Sequence, residues 1–463
     1  MDLERVIAAL APAEVVGRAP AEVRDLAYDA RAIAPGTLFY CVPGSCADGH
    51  DFASAAVQRG AVALVVERPV EADVPQLVVP SARAAMAVVA DEFFGRPSEE
   101  LELVGVTGTN GKTTTAFLLH AILAAAGRRP GLVGTVEARV GGAPRTLERT
   151  TPEAIDLQRL FREMLDAGDR SCALEASSHA SELHRLDCVR FRVLVFTNLS
   201  QDHLDFHGTM ERYFAAKRRL FDGVPAAVNV DDPWGRRLAD ELGGDAFTFG
   251  LSRPADLGPE ALEGIELRLR GRFNSLNALG AIAASHLLGL GPDAVKAGLE
   301  AVEGVPGRFE DVREGQPFTV LVDYAHTPDS LENVLREARG LAEGRLLCVF
   351  GCGGDRDREK RPLMGRVASE LADLAIVTSD NPRSEDPAAI VDAIVSGAVR
   401  DVLVEPDRRA AIAVAVEAAR PGDVVVVAGK GHEQGQEIDG VVHPFDDREV
   451  VREALRRLVG VRT

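Results

Sequence analysis

Short, continuous apolar runs alternate with longer helical stretches along most of this 463-residue chain. The runs include LELVGV, CALEAS and RVLVFTN in the middle of the chain, and FTVLVDYA, RLLCVFG, LAIVTSD and DVVVVAG further on. Strands that are apolar on both faces are typical of parallel sheets covered by helices. The sequence therefore predicts an α/β fold built on parallel sheets.

Changes of pattern divide the chain into three segments, which we expect to be domains. A single hydrophobic core usually serves about 100 to 200 residues, fewer than this chain contains. Residues 1–96 end in the linker DEFFGRPSEEL, residues 97–305 carry the strand and helix alternation, and residues 306–463 repeat it after EGVPGRFEDV. Most later strands end in a polar or glycine-rich loop, so these loops should converge at one edge of each sheet.

Charge and cysteine content limit the kinds of partner. Lys and Arg total 52 against 71 Asp and Glu, a formal charge of −19, which argues against nucleic acid or an anionic membrane as the main partner. The six cysteines form no Cys-x-x-Cys pair, as in a reducing compartment. No uncharged stretch approaches the roughly 18 residues needed for membrane insertion, so we expect a cytoplasmic protein.

The stretch LVGVTGTNGKTTT, residues 103–115, has the parts of an anion-binding loop between a strand and a helix. Gly108 and Gly111 would let backbone N–H groups turn toward phosphate, and Lys112 would add a charge. Thr113 offers a hydroxyl for a phosphate-bound Mg²⁺. Val106 stands where the general pattern G-x-x-x-x-G-K-[ST] has glycine. The alternative is a tight turn with a solvated lysine, but the strand, loop and helix together favour phosphate.

Three further positions allow both a chemical and a structural interpretation. Glu175 ends a strand in CALEASSH, where a carboxylate can bind a cation or cap a strand end. His203 and His207 in TNLSQDHLDFHG have the i, i+4 spacing of zinc ligands, without the glutamate of H-E-x-x-H. Lys217 in RYFAAKRRLFDG is typical of a basic, solvated helix face.

Basic residues also gather in the third segment. GCGGDRDREKRP contains Arg356, Arg358, Lys360 and Arg361, and SDNPRSEDP adds Arg383. In an acidic chain these residues predict a local cationic pocket, and the planar fork of arginine suits carboxylates or phosphates. For DNPR the alternative is a proline turn that begins at Asp380.

Taken in order, these stretches resemble the Mur ligase family, in particular its MurE type, which adds the third amino acid of the peptidoglycan stem peptide. The resemblance is carried by GTNGKTTT, TTPEAID, EASSH, FTNLSQDHLDFHG, AAK, GRFNSLNALGA, GRFE, VDYAHTPDSL, GCGGDRD, DNPR and GKGHE. In the first segment, YDARAIAPGTLF and GSCADGHDF are also similar to the family. The resemblance therefore covers nearly the whole chain.

The resemblance implies a three-domain α/β protein with an amino-terminal domain for a UDP-sugar, a central P-loop-type parallel-sheet ATPase domain and a carboxyl-terminal Rossmann-like α/β domain. It implies an ATP-dependent, ADP-forming amide ligase of peptidoglycan biosynthesis that uses Mg²⁺ and acts as a monomer. ATP would phosphorylate the free carboxylate of UDP-N-acetylmuramoyl-L-alanyl-D-glutamate, and the amine of diaminopimelate, in its meso form, would then displace phosphate. An acyl phosphate has a good leaving group, so one high barrier becomes two smaller ones.

Family roles transfer to the matching positions. The catalytic residues would be Lys112, Glu175, His203 and Lys217, with Mg²⁺ held by Thr113, Glu175, His203 and a carbamylated Lys217. ATP would contact Gly108, Thr109, Asn110, Gly111, Lys112, Thr113, Thr114, Asn277, Arg308 and Asp323. The UDP-muramoyl dipeptide would contact Tyr28, Ala30, Ser45, Cys46, Ala47, Thr150, Thr151, Ser177 and Arg185. Diaminopimelate would contact Arg356, Asp380, Asn381, Pro382, Arg383, Gly429 and Glu433.

The choice of amino acid depends on DNPR. Arg383 can pair with the extra carboxylate of diaminopimelate, and lysine-adding relatives lack this arginine. Three departures from the family pattern, Ala30, Arg149 and Leu183, all lie on the UDP-muramoyl dipeptide side.

Other functions remain as alternatives. One is a related ligase that adds L-lysine or uses a different carboxylate acceptor. The others are a nucleotide-binding regulatory protein without catalysis and a zinc hydrolase built on His203 and His207.

Overall fold

The computed structural model describes residues 1–17, 20–44 and 47–462. The first segment forms a five-stranded sheet in the order β1-β5-β4-β3-β2, parallel except for β1 against β5. Its helices are α1 (Leu3–Leu10), α2 (Ala53–Gln58) and α3 (Ala82–Phe93), and its strands are β1 (Glu14–Val16), β2 (Asp25–Ala27), β3 (Thr37–Tyr40), β4 (Ala61–Val66) and β5 (Gln76–Val78).

The central segment forms an eight-stranded sheet in the order β13-β12-β11-β6-β10-β7-β8-β9. The strands from β13 to β7 are parallel, and β8 and β9 add an antiparallel edge. The strands are β6 (Glu102–Thr107), β7 (Pro130–Val133), β8 (Ala138–Val140), β9 (Ala143–Arg145), β10 (Ser171–Glu175), β11 (Phe191–Phe196), β12 (Ala226–Asn229) and β13 (Ala246–Phe249). The helices are α4 (Pro97–Glu100), α5 (Lys112–Ala125), α6 (Ala154–Asp166), α7 (Ser178–Glu182), α8 (Leu204–His207), α9 (Met210–Arg218), α10 (Pro233–Leu242), α11 (Arg272–Leu287) and α12 (Pro292–Ala301).

Apolar side chains explain how the two faces of the central sheet are covered. Leu118 and Ile122 of α5 pack with α11 and α12 against one face, and Phe161 and Met164 of α6 pack against the other. Strand β6 lies between β10 and β11 and is buried almost throughout, as its continuous apolar run predicts. The phosphate-type loop therefore leaves the middle of the sheet.

The third segment forms a six-stranded sheet in the order β14-β15-β19-β16-β17-β18, parallel except for β14, with a separate β20-β21 hairpin. The strands are β14 (Glu310–Asp311), β15 (Thr319–Asp323), β16 (Leu346–Phe350), β17 (Leu374–Val377), β18 (Leu403–Val404), β19 (Val424–Ala428), β20 (Gly435–Ile438) and β21 (Val441–Pro444). The helices are α13 (Pro328–Leu341), α14 (Lys360–Leu371), α15 (Pro387–Val395), α16 (Arg408–Ala418) and α17 (Asp447–Arg462).

The predicted α/β class with parallel sheets is confirmed, and each sheet lies within one of the three predicted segments. The exact domain boundaries stay a prediction, because Ala154 and Ile155 of α6 pack into the core of the first segment. None of the helices in the described ranges has both the length and the apolar character for a membrane crossing.

Candidate active site

A cavity of about 500 Å³, called here the first cavity, opens at the carboxyl ends of the central strands. Its walls include Lys112, Thr113, Glu175, His203, Lys217 and Arg308. The loops after β6, β10, β11 and β12 contribute to it, together with residues that follow β15. Ligands of parallel sheets bind at this edge, so the loops converge as their sequence positions predict.

The loop between β6 and α5 requires glycine at two positions. Gly108 and Gly111 have φ angles of +148° and +85°. A β carbon would overlap the Thr197 side chain at position 108 and the Asn277 side chain at position 111. The shifted glycine spacing around Val106 therefore fits close contacts in this fold.

Lys112 begins α5 and turns back over the loop. Its Nζ donates hydrogen bonds to the carbonyls of Gly108 at 3.0 Å and Thr109 at 2.8 Å. Burial lowers the pKa of Lys112, while Glu175 and Asp202 oppose that change. The lysine thus lies at the positive end of a helix beside backbone N–H groups, as an anion site needs.

Glu175, at the end of β10, is almost fully buried and is held by hydrogen bonds from two threonines. Thr113 Oγ1 donates to Oε2 at 3.1 Å, and Thr135 donates through its N–H to Oε1 at 2.8 Å and through Oγ1 to Oε2 at 3.0 Å. Arg308 Nη2 donates to Thr113 Oγ1 at 3.0 Å. The carboxylate is therefore fixed beside the start of α5.

Lys217 is buried, so the solvated helix face considered from the sequence is wrong. Only 1% of the residue is exposed, and Nζ donates to the carbonyl of Gly108 at 2.8 Å. Nζ also lies 4.7 Å from the centre of the Tyr213 ring. Burial, and then the neighbouring Lys112, hold the pKa of Lys217 well below its ordinary value. Burial thus favours the neutral, nucleophilic form of this amine.

His203 and His207 do not form the helical pair that their spacing suggested. His203 precedes the four-residue helix α8 with φ +55°, and its Nε2 lies 3.3 Å from Asp202 Oδ2. His207 turns away, and its Nε2 shares a hydrogen bond with Ser178 Oγ at 3.0 Å. In the part of the chain that is described, no group of three or more His, Cys, Asp and Glu is arranged to hold a metal.

The imidazole of His203 is nevertheless suited to bind a cation. Burial lowers its pKa to about 3, despite the opposing charge of Asp202. The ring is therefore neutral near pH 7 and has a lone pair available. His203 lines the same cavity as Glu175, Thr113 and Lys217.

The predicted adenine and ribose contacts, Asn277 and Asp323, also line the first cavity. Asn277 is buried and donates to Asn274 Oδ1 at 3.1 Å. Asp323 accepts hydrogen bonds from the N–H groups of Phe309 at 2.6 Å and Ala325 at 2.7 Å, and burial raises its pKa. The remaining predicted ATP contacts in the cavity wall are Thr109, Asn110, Gly111 and Thr114.

A second cavity, of about 670 Å³, contains part of the predicted amino-acid site. Its walls include Asn381, Arg383, Glu433, His432 and Thr135. Arg383 has φ +52°, and its guanidinium donates to the Gly354 carbonyl at 2.7 Å and to Glu437 Oε2 at 3.2 Å. The arginine is held in place with its charge facing a cavity.

Lys430 connects DNPR with GKGHE. It is fully buried, and its Nζ donates to Asn381 Oδ1 at 2.8 Å and Glu433 Oε2 at 3.1 Å. Burial opposes ionisation of Asp380, but Lys430 and Arg408 outweigh it and keep the pKa of that carboxyl below its usual value. Gly429 has φ +118°, and a β carbon there would meet the Asp380 carboxylate. Pro382 is buried next to Arg383.

The single cationic pocket predicted in GCGGDRDREKRP does not form. Arg361 and Arg358 both pair with Glu385, at 2.9 Å and 3.1 Å, and Lys360 is buried. Arg356 is exposed and donates to the carbonyl of Asp355 at 3.1 Å. Neutralisation by Glu385 breaks up the cluster, and among these basic residues Arg383 is the one that lines the second cavity.

The predicted dipeptide contacts are divided between cavity and interior. Thr150 and Ser177 line the first cavity. Thr151 is buried and donates to the Glu175 carbonyl at 2.6 Å, and Arg185 donates to the Thr151 carbonyl at 3.0 Å and pairs with Glu153 at 2.8 Å.

The departures Arg149 and Leu183 lie close to this group. Arg149 is 3.8 Å from Glu153, the same carboxylate that Arg185 binds. Leu183 directly follows α7 as its C-cap residue, two positions before Arg185.

The predicted UDP end lies in the first segment. Tyr28 donates to Asp156 Oδ2 of α6 at 2.7 Å. Ala30 begins a short 3-10 turn, and Ala47 is exposed. Ser45 and Cys46 lie outside the described residues.

Thr135 and Asp329 also line these cavities, although the sequence alone gave neither of them a role. Thr135 follows β7 in GLVGTVE and lines both cavities, and its position after a strand is the signal that could have identified it. Asp329, at the start of α13, accepts hydrogen bonds from Asn110 and Ser200, both at 2.9 Å. Asp329 lies within VDYAHTPDSL, one of the stretches that resemble the family, but its contacts could not be predicted because its partners come from another segment.

The fold and site define a class: three-segment α/β proteins in which a phosphate-type loop, a buried carboxylate and a buried lysine share one cavity. The chain belongs to the Mur ligase family. Family models match residues 22–94 ("Mur ligase family, catalytic domain"), 106–285 ("Mur ligase middle domain") and 307–431 ("Mur ligase, glutamate ligase domain").

Relatives with high identity bear one name. Two such relatives are both named "UDP-N-acetylmuramoyl-L-alanyl-D-glutamate--2,6-diaminopimelate ligase". The protein of Solibacter usitatus is 47% identical, and the match covers 95% of this chain and 94% of its own. The protein of Geobacter metallireducens is 44% identical, and the match covers 99% of each chain. A solved structure of a ligase with the same name has 32% identity and a TM-score of 0.66, and the match covers 99% of each chain. The family predicted from the motifs is confirmed.

Proposed function

We propose that this protein is the ATP-dependent ligase that joins diaminopimelate to UDP-N-acetylmuramoyl-L-alanyl-D-glutamate. The observation that carries the proposal is the meeting of two cavities at Thr135. One is lined by the phosphate-type loop, Glu175 and Lys217, and the other by Arg383 and Glu433. A reaction that activates a carboxylate and then adds an amine needs these two neighbouring sites. The relatives named above support the same substrates.

The chain's own residues account for the first step. Lys112 and the N–H groups around Gly111 bind the ATP phosphates and offset their charge. An oxygen of the substrate carboxylate attacks the γ-phosphorus, ADP leaves, and an acyl phosphate forms. Arg308 is half-buried, and its guanidinium carbon lies 4.4 Å from the centre of the Tyr324 ring. Its positive charge lies beside Thr113, next to the loop that binds the ATP phosphates.

In the second step the amine of diaminopimelate attacks the acyl carbon, phosphate leaves, and the nitrogen loses a proton. Thr150 and Ser177 place hydroxyl groups in the first cavity, where they orient the dipeptide. Exclusion of water from the cavity by the bound substrates would protect the acyl phosphate, which otherwise hydrolyses.

The donors in the first cavity fit Mg²⁺. Thr113 and Glu175 supply hydroxyl and carboxylate oxygens, the ligands that hard cations favour, and neutral His203 adds an imidazole nitrogen beside them. In its neutral form the amine of Lys217 can add to CO₂ and release a proton, which gives a carbamate whose single negative charge is shared by two oxygens. Bound there, Mg²⁺ would offset phosphate charge, and Lys217 as carbamate, with His203, would help to hold it.

Selection of diaminopimelate over lysine follows from charge in the second cavity. Arg383 presents a guanidinium to the extra carboxylate, and Glu433, already placed by Lys430 and Asn381, faces an ammonium group. Lysine lacks that carboxylate, so bound lysine would leave Arg383 without this partner. A binding site whose polar group is left unpaired rejects the wrong substrate more strongly than a site that differs only in shape.

The test compares amino acids with wild type, Arg383→Ala and the control Arg366→Ala, which removes an exposed arginine of α14 that pairs with Glu370. Phosphate release is measured with ATP, UDP-N-acetylmuramoyl-L-alanyl-D-glutamate and either meso-diaminopimelate or lysine. We expect Arg383→Ala to raise the apparent KM for diaminopimelate about 10- to 100-fold, from the loss of a charged hydrogen-bonding pair, with the KM for ATP nearly unchanged. Equal rises in both KM values, or wild-type turnover of lysine, would contradict the assignment.

The UDP end and the stereochemistry belong to this proposal as well. Tyr28, Ala30 and Ala47, with Ser45 and Cys46, are proposed to hold the uridine side. The meso form of diaminopimelate, the monomeric state and the cytoplasmic location stay predictions.

A further inference from the structure

Thr135 connects the two cavities through three of its own atoms. Its N–H and Oγ1 donate to the Glu175 carboxylate at 2.8 Å and 3.0 Å in the first cavity. Its carbonyl oxygen lies 3.2 Å from Nε2 of His432, a wall residue of the second cavity. A continuous set of hydrogen bonds therefore runs from the amino-acid loop to the buried carboxylate.

The chemistry of this contact fixes the tautomer of His432. A carbonyl oxygen can only accept, so Nε2 must carry the proton and Nδ1 must have a lone pair. Burial lowers the pKa of His432 to about 4, which keeps the ring neutral near pH 7. Nδ1 is buried and has no hydrogen-bond partner within the described chain. The ring therefore offers a donor toward Thr135 and an unused acceptor.

The backbone around His432 is closely packed, so a movement of the imidazole ring would cost free energy. Gly431 has φ +55°, and a β carbon there would meet the carbonyl of Gly307 and the Tyr324 residue. A β carbon at Gly307 would overlap the backbone of Gly431 and His432. The His432 ring also lies 5.3 Å from the Tyr324 ring. The loop is thus fixed on one side by the chain near Gly307 and on the other by Thr135.

We propose that His432 is a positioning residue, which holds the amino-acid loop against Thr135 and so places the incoming amine beside the activated carboxylate. This inference rests on the proposed function. Glu433, the next residue, faces the amino acid, so a shift of His432 moves that contact directly. A displacement of about 1 Å at a reacting group can reduce a rate about 100-fold.

Two amide variants separate this role from proton transfer. The amide of His432→Gln can take the place of Nε2 and donate to the Thr135 carbonyl, but it has no ring lone pair. The amide of His432→Asn is one carbon shorter and does not reach. The two variants are compared with wild type for ligation of meso-diaminopimelate and for exchange of labelled ADP into ATP without amino acid, which reports acyl phosphate formation alone.

We expect His432→Asn to lower kcat for ligation about 10- to 100-fold with ADP exchange close to wild type, and His432→Gln to restore kcat to within about threefold. Thr135→Val is the matched comparison, because it keeps the carbonyl that His432 binds but removes the hydroxyl donor to Glu175. It should reduce exchange and ligation together.

Equal loss of ligation in the Gln and Asn variants would assign the function to the Nδ1 lone pair and overturn the positioning role. Wild-type rates in both variants would overturn it as well. A wild-type protein that ligates no amino acid would overturn the proposed function and this inference together, whereas an active wild type isolates the inference.

Discussion

Among single residues, Lys217 shows how burial changes a charged side chain, because burial and the neighbouring Lys112 hold its pKa well below the ordinary value. The surrounding arginines made Lys217 look like part of a solvated face, yet it is buried against Gly108 and Tyr213. Local sequence cannot reveal that burial, because the contacts come from a loop about 100 residues away in the chain. The active-site role that the family resemblance implies for Lys217 stays a prediction.

Replacement of Lys217 tests its role in catalysis. We expect Lys217→Ala to lower kcat by at least about 100-fold, the usual cost of losing one group that stabilises transition-state charge. The matched control is Arg218→Ala, the next residue on α9, which pairs with Glu241 away from the cavity. Labelled CO₂ should give a carbamate signal in wild type and lose it in Lys217→Ala, and unchanged activity in this variant would refute the role.

Among the secondary-structure elements, the sequence identified central parallel strands of the second and third sheets and the loops that follow them. Continuous apolar runs are a strong signal because both faces of β6 and β19 are buried. The basic cluster after β16 was misread, since Glu385, from another loop, neutralises Arg358 and Arg361. A count of the charges in one short stretch does not reveal partners that come from a distant part of the sequence.

Helix α5 allows a pH test of stability that does not involve the site. His120 lies on α5, and burial, together with Arg139, lowers its pKa to about 4. The unfolded chain takes up this proton near pH 6.5 and the folded chain does not, so unfolding binds a proton between these values. Stability must then fall as the pH drops from about 6.5 toward 4.

The variant His120→Gln removes this contribution. The free energy of unfolding is measured by denaturant titration at pH 7.5 and pH 5. We expect the loss of free energy between the two pH values to be about 1 to 2 kcal/mol smaller for the variant than for wild type. The other histidines remain in both proteins, so their effects cancel. Parallel pH profiles would contradict the assigned burial of His120.

At the scale of the whole molecule, contacts between segments complete the site. Arg308 and His432 of the third segment reach Thr113 and Thr135 of the central one, and Asp329 accepts a hydrogen bond from Asn110. The sequence placed polar loops at strand ends, but it could not show which loops of two different sheets meet. That arrangement depends on how the sheets pack against one another, and the hydrophobic periodicity of the sequence does not predict this packing.

In the proposed reaction, the conversion of one ATP to ADP and phosphate is coupled to the formation of one new amide bond. The direct measurement is a single reaction of purified protein, ATP, Mg²⁺, UDP-N-acetylmuramoyl-L-alanyl-D-glutamate and meso-diaminopimelate, in which ADP, phosphate and the product are all quantified. We predict equal amounts of ADP, phosphate and a product that contains diaminopimelate in amide linkage, with no product when lysine replaces it. ADP release without an amide product, or amide formation without ATP, would contradict the claim.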